Sequence, residues 1–198
     1  DLYCSTKVEA EKLVRARNGA RLKTVSLRPG GIYGPGERNQ LVGPLFKALK
    51  RGEPLTIIGD GTSRLDYTHV ANLVDAHIRA AERLVDGSPV NGAAYFVTDD
   101  QPLNHGEMSR RLARTVGMLP RVRHLPPKVV LGLAEVSELA FERFGKVPLV
   151  TKMQCRTCLY DYFFSIDAAR RDLGYTPMTT DEGIATCGPD IRAFLRTI

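Results

Sequence analysis

Apolar positions along the chain switch repeatedly between a spacing of three or four residues and strict alternation, the pattern of helices interleaved with strands. Val8-Glu9-Ala10-Glu11-Lys12-Leu13-Val14 is built of helix formers, and Asn18-Gly19 stops it. Lys23-Thr24-Val25-Ser26-Leu27-Arg28 then alternates as a strand. Leu41, Val42, Leu45, Phe46 and Leu49 share a helical face that ends at Arg51-Gly52-Glu53-Pro54. Leu55-Thr56-Ile57-Ile58 reads as a short strand halted by Gly59-Asp60-Gly61, and residues 64–70 alternate as a second. A helix over 72–85 follows, with Leu73, Ala76, Ala80 and Leu84 as its apolar stripe.

The second half continues the alternation. Ala94-Tyr95-Phe96-Val97-Thr98 is a nearly unbroken apolar run, as in a strand covered on both faces. Asn104 with Glu107 three residues on has capping-box spacing and opens a helix to Gly117. Residues 122–125 suit a short strand. Pro126-Pro127 introduces the longest apolar helix, over 128–144, with Glu135, Glu138 and Glu142 on one polar side. Its stripe favours core packing by about two to one over the wall of an apolar pocket or a membrane surface. Between Pro148 and Tyr162 the pattern fits helix and strand equally. Ser165 caps a short helix ending at Leu173-Gly174-Tyr175, and Thr179 with Glu182 marks a last one. That helix should bend or break at Gly188-Pro189, because proline costs about 3 kcal/mol in a helix interior.

One pair on the first helix carries chemistry. Tyr3 and Lys7 lie one turn apart on the same face, continued by Ala10 and Val14. An ammonium beside a phenol favours the phenolate, which is the arrangement of a tyrosine general acid/base. Taken alone the spacing is equally that of a surface helix with a solvated lysine.

Composition narrows the classes. A chain of 198 residues with 43% hydrophobic composition buries a substantial core. The net charge of +6 is spread among interleaved acids, so a nucleic-acid stripe is not expected. No apolar run reaches the roughly 18 residues that would span a bilayer. Four cysteines, including Cys155-Arg156-Thr157-Cys158, read as reduced structural thiols, and the four histidines show no metal-ligand spacing. Gly30-Gly31 and Gly34/Gly36, interrupted by Pro35, make a turn rather than a pyrophosphate cradle, and no G-x-x-G-x-x-G stands anywhere.

Tyr3-Cys4-Ser5-Thr6-Lys7 followed by a strand ending in Arg28-Pro29-Gly30-Gly31-Ile32-Tyr33-Gly34-Pro35-Gly36 resembles the extended short-chain dehydrogenase/reductases. Ile58-Gly59-Asp60-Gly61, Leu65-Asp66-Tyr67-Thr68-His69-Val70, Ala94-Tyr95-Phe96-Val97-Thr98-Asp99 and Phe164-Ser165-Ile166-Asp167 narrow the resemblance to the 3β-hydroxysteroid dehydrogenase branch over essentially the whole chain. The resemblance implies an α/β fold, the C-terminal part of a doubly wound Rossmann-type parallel sheet with a mostly helical substrate-binding subdomain. Residues 1–36 would form the catalytic helix and the strand after it. The subdomain would come mainly from 37–70 and 103–198, with 71–102 returning to the sheet. The implied activity is NAD(P)-dependent oxidation of the 3β-hydroxyl of a steroid or sterol, NAD favoured, with isomerase or C4-decarboxylating variants open. Tyr3 and Lys7 match the catalytic pair, and Tyr3, Lys7, Pro29, Gly30, Gly31 and Ile32 the nicotinamide contacts. Tyr33 and Arg64 are the substrate candidates, Arg64 being at least as well explained by an ion pair with Asp66 or Asp60. The carbonyl-polarising serine or threonine and the upstream asparagine match no residue here. The chain is therefore expected to be a C-terminal portion, inactive and a weak dinucleotide binder by itself. The implied partners are a small apolar substrate, a second copy in the full-length protein and a membrane surface touched peripherally, in a cytoplasmic setting. A nucleotide-sugar epimerase or dehydratase, and a non-catalytic cofactor-sensing protein on the same fold, are the rival readings.

Overall fold

The alternation of helices and strands is present in the computed structural model, which describes residues 2–145 and 151–198; Pro148 lies outside the described residues. In chain order the elements are α1 (Leu2–Ala16), β1 (Ser26–Pro29), β2 (Gly31–Tyr33), α2 (Val42–Lys50), β3 (Leu55–Ile58), β4 (Arg64–Leu65), β5 (Tyr67–His69) and α3 (Val70–Glu82). They continue with β6 (Ala94–Val97), β7 (Leu103–Asn104), α4 (His105–Arg114), β8 (Val122–Leu125), α5 (Pro127–Phe144), α6 (Lys152–Thr157), α7 (Asp167–Leu173) and α8 (Thr180–Thr197). They gather into two compact units. One comprises Asp1–Tyr33, Asp66–Gln101 and Phe164–Thr180, the other Gly34–Leu65, Pro102–Phe163 and Asp181–Ile198.

The first unit is built on two parallel pairs, β1 with β6 and β2 with β5. Alternation along β6 buries Tyr95 and Val97 and leaves Ala94 and Phe96 half-buried. Ala76 and Ala80 of α3 and Ala169 and Leu173 of α7 close on that buried face, with Ile166 and Tyr175 completing the core. Small side chains on both helices permit the close approach. This packing is why residues 164–180 belong to the sheet unit and not to the subdomain expected over 103–198. Helix α3 starts two residues earlier than its apolar stripe suggests. His69 is its N-cap, with Nδ1 accepting the N–H of Ala71 at 3.2 Å.

The second unit pairs β3 with β8 in parallel and β4 with β7 antiparallel. The expected single strand over 64–70 is thus two, since β4 and β5 pair with different neighbours on either side of Asp66. Helix α2 packs on α4, burying Val42, Leu45 and Phe46 along with Met108 and Leu112. Asn104 caps α4 through the Glu107 N–H at 2.8 Å. Glu37 caps α2 by accepting the N–H groups of Asn39, Gln40, Leu41 and Val42. Burial pushes the Glu37 carboxyl up, and those four bonds outweigh it and hold it below its ordinary range.

Two expectations are corrected here. Helix α8 runs unbroken through Pro189. The lost hydrogen bond is outweighed by fully buried Ile191, by Arg38 on Asp190 with two bonds of 2.8 Å, and by Arg192 donating to the Thr115 carbonyl at 2.9 Å. The stripe of α5 is mostly not core. Val130 and Ala134 are buried against Cys155, whereas Val129, Leu133, Val136, Leu139 and Phe144 are exposed. The polar side behaves as expected at Glu135 and Glu138, which meet Lys152 at 3.2 and 3.9 Å. Among the described residues no helix is long and apolar enough to cross a membrane.

Candidate active site

Helix α1 carries the acid/base pair without contributing to the core. None of its side chains is buried, and Tyr3 is 61% exposed. The i,i+4 spacing brings Lys7 Nζ to 5.5 Å from the centre of the Tyr3 ring. Polar contacts farther along tie the helix to the sheet. Glu11 accepts two bonds from Arg28 of β1, one of them Nε at 2.8 Å, and Arg15 donates to the Gly92 carbonyl at 2.9 Å. Hydrogen bonding to Arg28 holds the Glu11 carboxyl below its usual range and raises the guanidinium. Arg28 in turn lies over Phe96, which stacks on Phe164 at 4.1 Å.

Beyond Pro29 the chain enters β2, and glycine is required there for packing. Neither Gly30 nor Gly31 has a positive φ, which the turn itself takes at Gly34 (φ 140°) and Gly36 (φ 88°). A Cβ on Gly30 would stand 2.4 Å from the Asp66 carbonyl oxygen. The Gly30 N–H donates to Thr68 Oγ1 at 2.8 Å, and the Gly31 N–H to the Asp66 carbonyl at 2.9 Å. In a parallel ladder alternate residues bond to the neighbouring strand, so the Ile32 N–H and carbonyl point away from β5. Of the three residues matched to nicotinamide contacts, Ile32 is the one whose backbone groups face outward.

Tyr33, a substrate candidate from the sequence, is corrected by its burial. The alternation that exposes Ile32 turns Tyr33 fully inward. Its hydroxyl donates to Asp99 Oδ2 at 2.9 Å, and its ring meets Tyr67 and His69 edge-on. Asp99 also accepts the His69 N–H and Asn72 Nδ2, each at 2.8 Å. Burial pushes the Asp99 carboxyl up, against the pull of those bonds, and pushes the His69 imidazole down. Asp66 is likewise buried. It accepts the Phe164 N–H at 2.8 Å, and burial together with nearby Asp100 and Asp99 raises its pKa. Sequence reading missed this inward-facing network. Its signal was a set of polar residues, Asp66, Thr68, His69 and Asp99, embedded in strand-like apolar runs.

Arg64 belongs to the second unit. Its partner is neither Asp66 nor Asp60: Nη2 meets Asp161 Oδ2 at 3.1 Å, and the guanidinium lies over Phe163 at 4.6 Å. Asp66 is turned into the core and Asp60 is held by Thr62, which leaves Asp161 as the acid within reach. The same unit holds a cavity of about 310 Å³. Ile57 and Ile58 of β3, Leu125 of β8 and Val129, Val130 and Leu133 of α5 form its apolar wall, with Thr56, Ser63, His105 and Cys158 interspersed. Helix α5 thus walls a pocket more than it fills a core. Burial raises the Cys155 and Cys158 thiols, so this Cys-x-x-Cys pair lacks the thiolate character of a redox motif.

Comparison with known proteins agrees with this arrangement. The model of the 3-beta hydroxysteroid dehydrogenase/isomerase family matches residues 1–127. The chain is 37% identical over 195 residues to a 3-beta-hydroxysteroid dehydrogenase of Mycolicibacterium neoaurum, covering 96% of this chain and 52% of that protein. It is 34% identical over 183 residues to a decarboxylating sterol-4-alpha-carboxylate 3-dehydrogenase of Candida albicans, covering 89% of this chain and 52% of that protein. A solved dTDP-glucose 4,6-dehydratase of Bacillus anthracis, in complex with NAD, shares the fold. Its TM-score is 0.65 at 15% identity, over 98% of this chain and 52% of the dehydratase.

Proposed function

The chain belongs to the 3-beta hydroxysteroid dehydrogenase/isomerase family, and from that premise we propose that the protein carrying it oxidises the 3β-hydroxyl of a steroid or sterol-like substrate with a nicotinamide dinucleotide, NAD in preference to NADP. The chain spans about half the length of the curated relatives it matches, so activity, substrate and partners are all part of the proposal. The observation that carries it is the Tyr3/Lys7 pair, one helical turn apart with the ammonium 5.5 Å from the ring centre.

The residues fit the nicotinamide end of such a cofactor. Lys7 is exposed and free to hold ribose hydroxyls, and Ile32 offers the outward-facing backbone groups a carboxamide needs. When bound, the oxidised dinucleotide supplies the hydride acceptor. Tyr3 Oη takes the proton of the substrate alcohol, and Lys7 stabilises the phenolate that receives it. The apolar cavity of the second unit supports a large apolar substrate over a nucleotide diphosphate, as does Arg64 being engaged by Asp161. The exposed apolar face of α5 supports a peripheral membrane contact in a cytoplasmic protein, and a homodimer belongs to the same reading.

The test is turnover of a 3β-hydroxysteroid with NAD by the protein that carries this chain. Tyr3→Phe should lower kcat by about 10²–10⁴, the span expected for a positioned proton carrier. Near-parental turnover by Tyr3→Phe, or turnover of a UDP-sugar with none of a steroid, would overturn the reading.

A further inference from the structure

The cavity of the second unit has one polar group that the proposed chemistry leaves unused. His105 opens α4 directly after the N-cap Asn104, and lines a wall that is otherwise dominated by Ile57, Leu125, Val130 and Leu133. The other polar side chains there are engaged within the protein. Ser63 Oγ donates to the Cys158 carbonyl at 2.6 Å, and Thr56 Oγ1 accepts from Arg123 at 3.1 Å. Asn104 is no help to the ring, since its oxygen is taken by the Glu107 N–H. Among the described residues the His105 imidazole has no hydrogen-bond or ion-pair partner. Burial pushes its pKa down, so at neutral pH the ring is neutral, with one donor and one acceptor nitrogen. Gly106, the next residue, has no room for a side chain: a Cβ would meet Ile57 Cδ1 at 2.6 Å. The first turn of α4 is therefore seated closely on β3, which holds the ring at the cavity wall. A withdrawn polar group with unspent hydrogen-bonding capacity costs stability unless something pairs with it. In a cavity that is otherwise apolar, the matching guest is an apolar molecule with one oxygen at that point.

We propose that this cavity holds the apolar body of the substrate and that His105 is a specificity-determining residue, sharing a hydrogen bond with a substrate oxygen other than the one being oxidised. This rests on the steroid reading above, in which the reacting hydroxyl is assigned to Tyr3. The experiment is calorimetric titration with two 3β-hydroxysteroids. One bears a ketone at the far end of the ring system, and the other has a methylene at the same place. The ketone should bind about five- to tenfold more tightly, the effect of one neutral hydrogen bond. His105→Phe should bind both alike, and His105→Gln, which keeps a donor and an acceptor, should restore part of the preference. Leu133→Trp, at a half-exposed wall position, should weaken both ligands by filling the cavity. Circular dichroism of each variant establishes that it is folded. Equal affinities in the parent protein, a preference retained by His105→Phe, or no effect of Leu133→Trp would overturn the inference. The dehydrogenase reading fails separately: preferential binding with no steroid turnover would refute that reading and leave the role of His105 standing.

Discussion

Gly30 offers a quantitative test of how the β2 segment is held. A Cβ at this position would lie 2.4 Å from the Asp66 carbonyl oxygen and 2.7 Å from its carbon, both backbone atoms. Ordinary carbon–oxygen contact begins at about 3.3 Å, so β2 would have to retreat from Asp66 by roughly 0.9 Å. Such a shift pulls on the Gly30 bond to Thr68 Oγ1 (2.8 Å) and the Gly31 bond to Asp66 (2.9 Å). Overpacking costs about 1–3 kcal/mol and each weakened bond about 1 kcal/mol, so Gly30→Ala should destabilise by roughly 3–5 kcal/mol. For a domain of this size that is a fall in Tm of roughly 6–20 °C. Two neighbours calibrate the result. Gly31→Ala meets only the edge of the Tyr67 ring at 3.3 Å and should cost about 1 kcal/mol or less, because a side chain yields more readily than backbone. Gly19→Ala meets nothing within 4 Å and should be neutral or slightly stabilising. Urea unfolding followed by far-ultraviolet circular dichroism ranks the three. If Gly30→Ala costs no more than Gly31→Ala, the close approach to Asp66 is not what demands glycine.

Two further outcomes follow from the buried groups. The raised pKa of Asp66 means the folded state binds its proton more tightly than the unfolded state. Its contribution to stability is therefore full below about pH 4 and is lost as pH rises through the folded value. Asp66→Asn should accordingly gain stability relative to the parent between pH 4 and pH 7, by denaturant midpoint; a constant difference across that range would contradict the assignment. Pro189→Ala should raise the urea midpoint by the equivalent of roughly 1–3 kcal/mol, since α8 is continuous and the proline withholds one bond from it. An unchanged or lower midpoint would mean the proline is accommodated without cost.

What the sequence by itself determined is local in origin. The Tyr3/Lys7 pairing is a matter of four residues on one helix, and the Asn104 cap a matter of three, so spacing was enough to place both. The same holds for the strand at 55–58 and for α5, whose length and polar side were legible from period alone. The tertiary structure decided everything that depends on which distant segment arrives as a neighbour. Tyr33 looked like a substrate contact until Asp99, 66 positions away, became its partner inside the core. Gly30 was ambiguous between a turn and a cofactor approach until Asp66 came to lie against it. Arg64 found Asp161, 97 positions on, in preference to either nearby acid. Residues 164–180 joined the sheet unit because β6 offered Tyr95 and Val97 as a face to cover. In each case the periodicity of the segment is unchanged by the outcome. Register and long-range pairing are set by the burial they achieve together, and a one-dimensional pattern of apolar and polar positions does not contain that information.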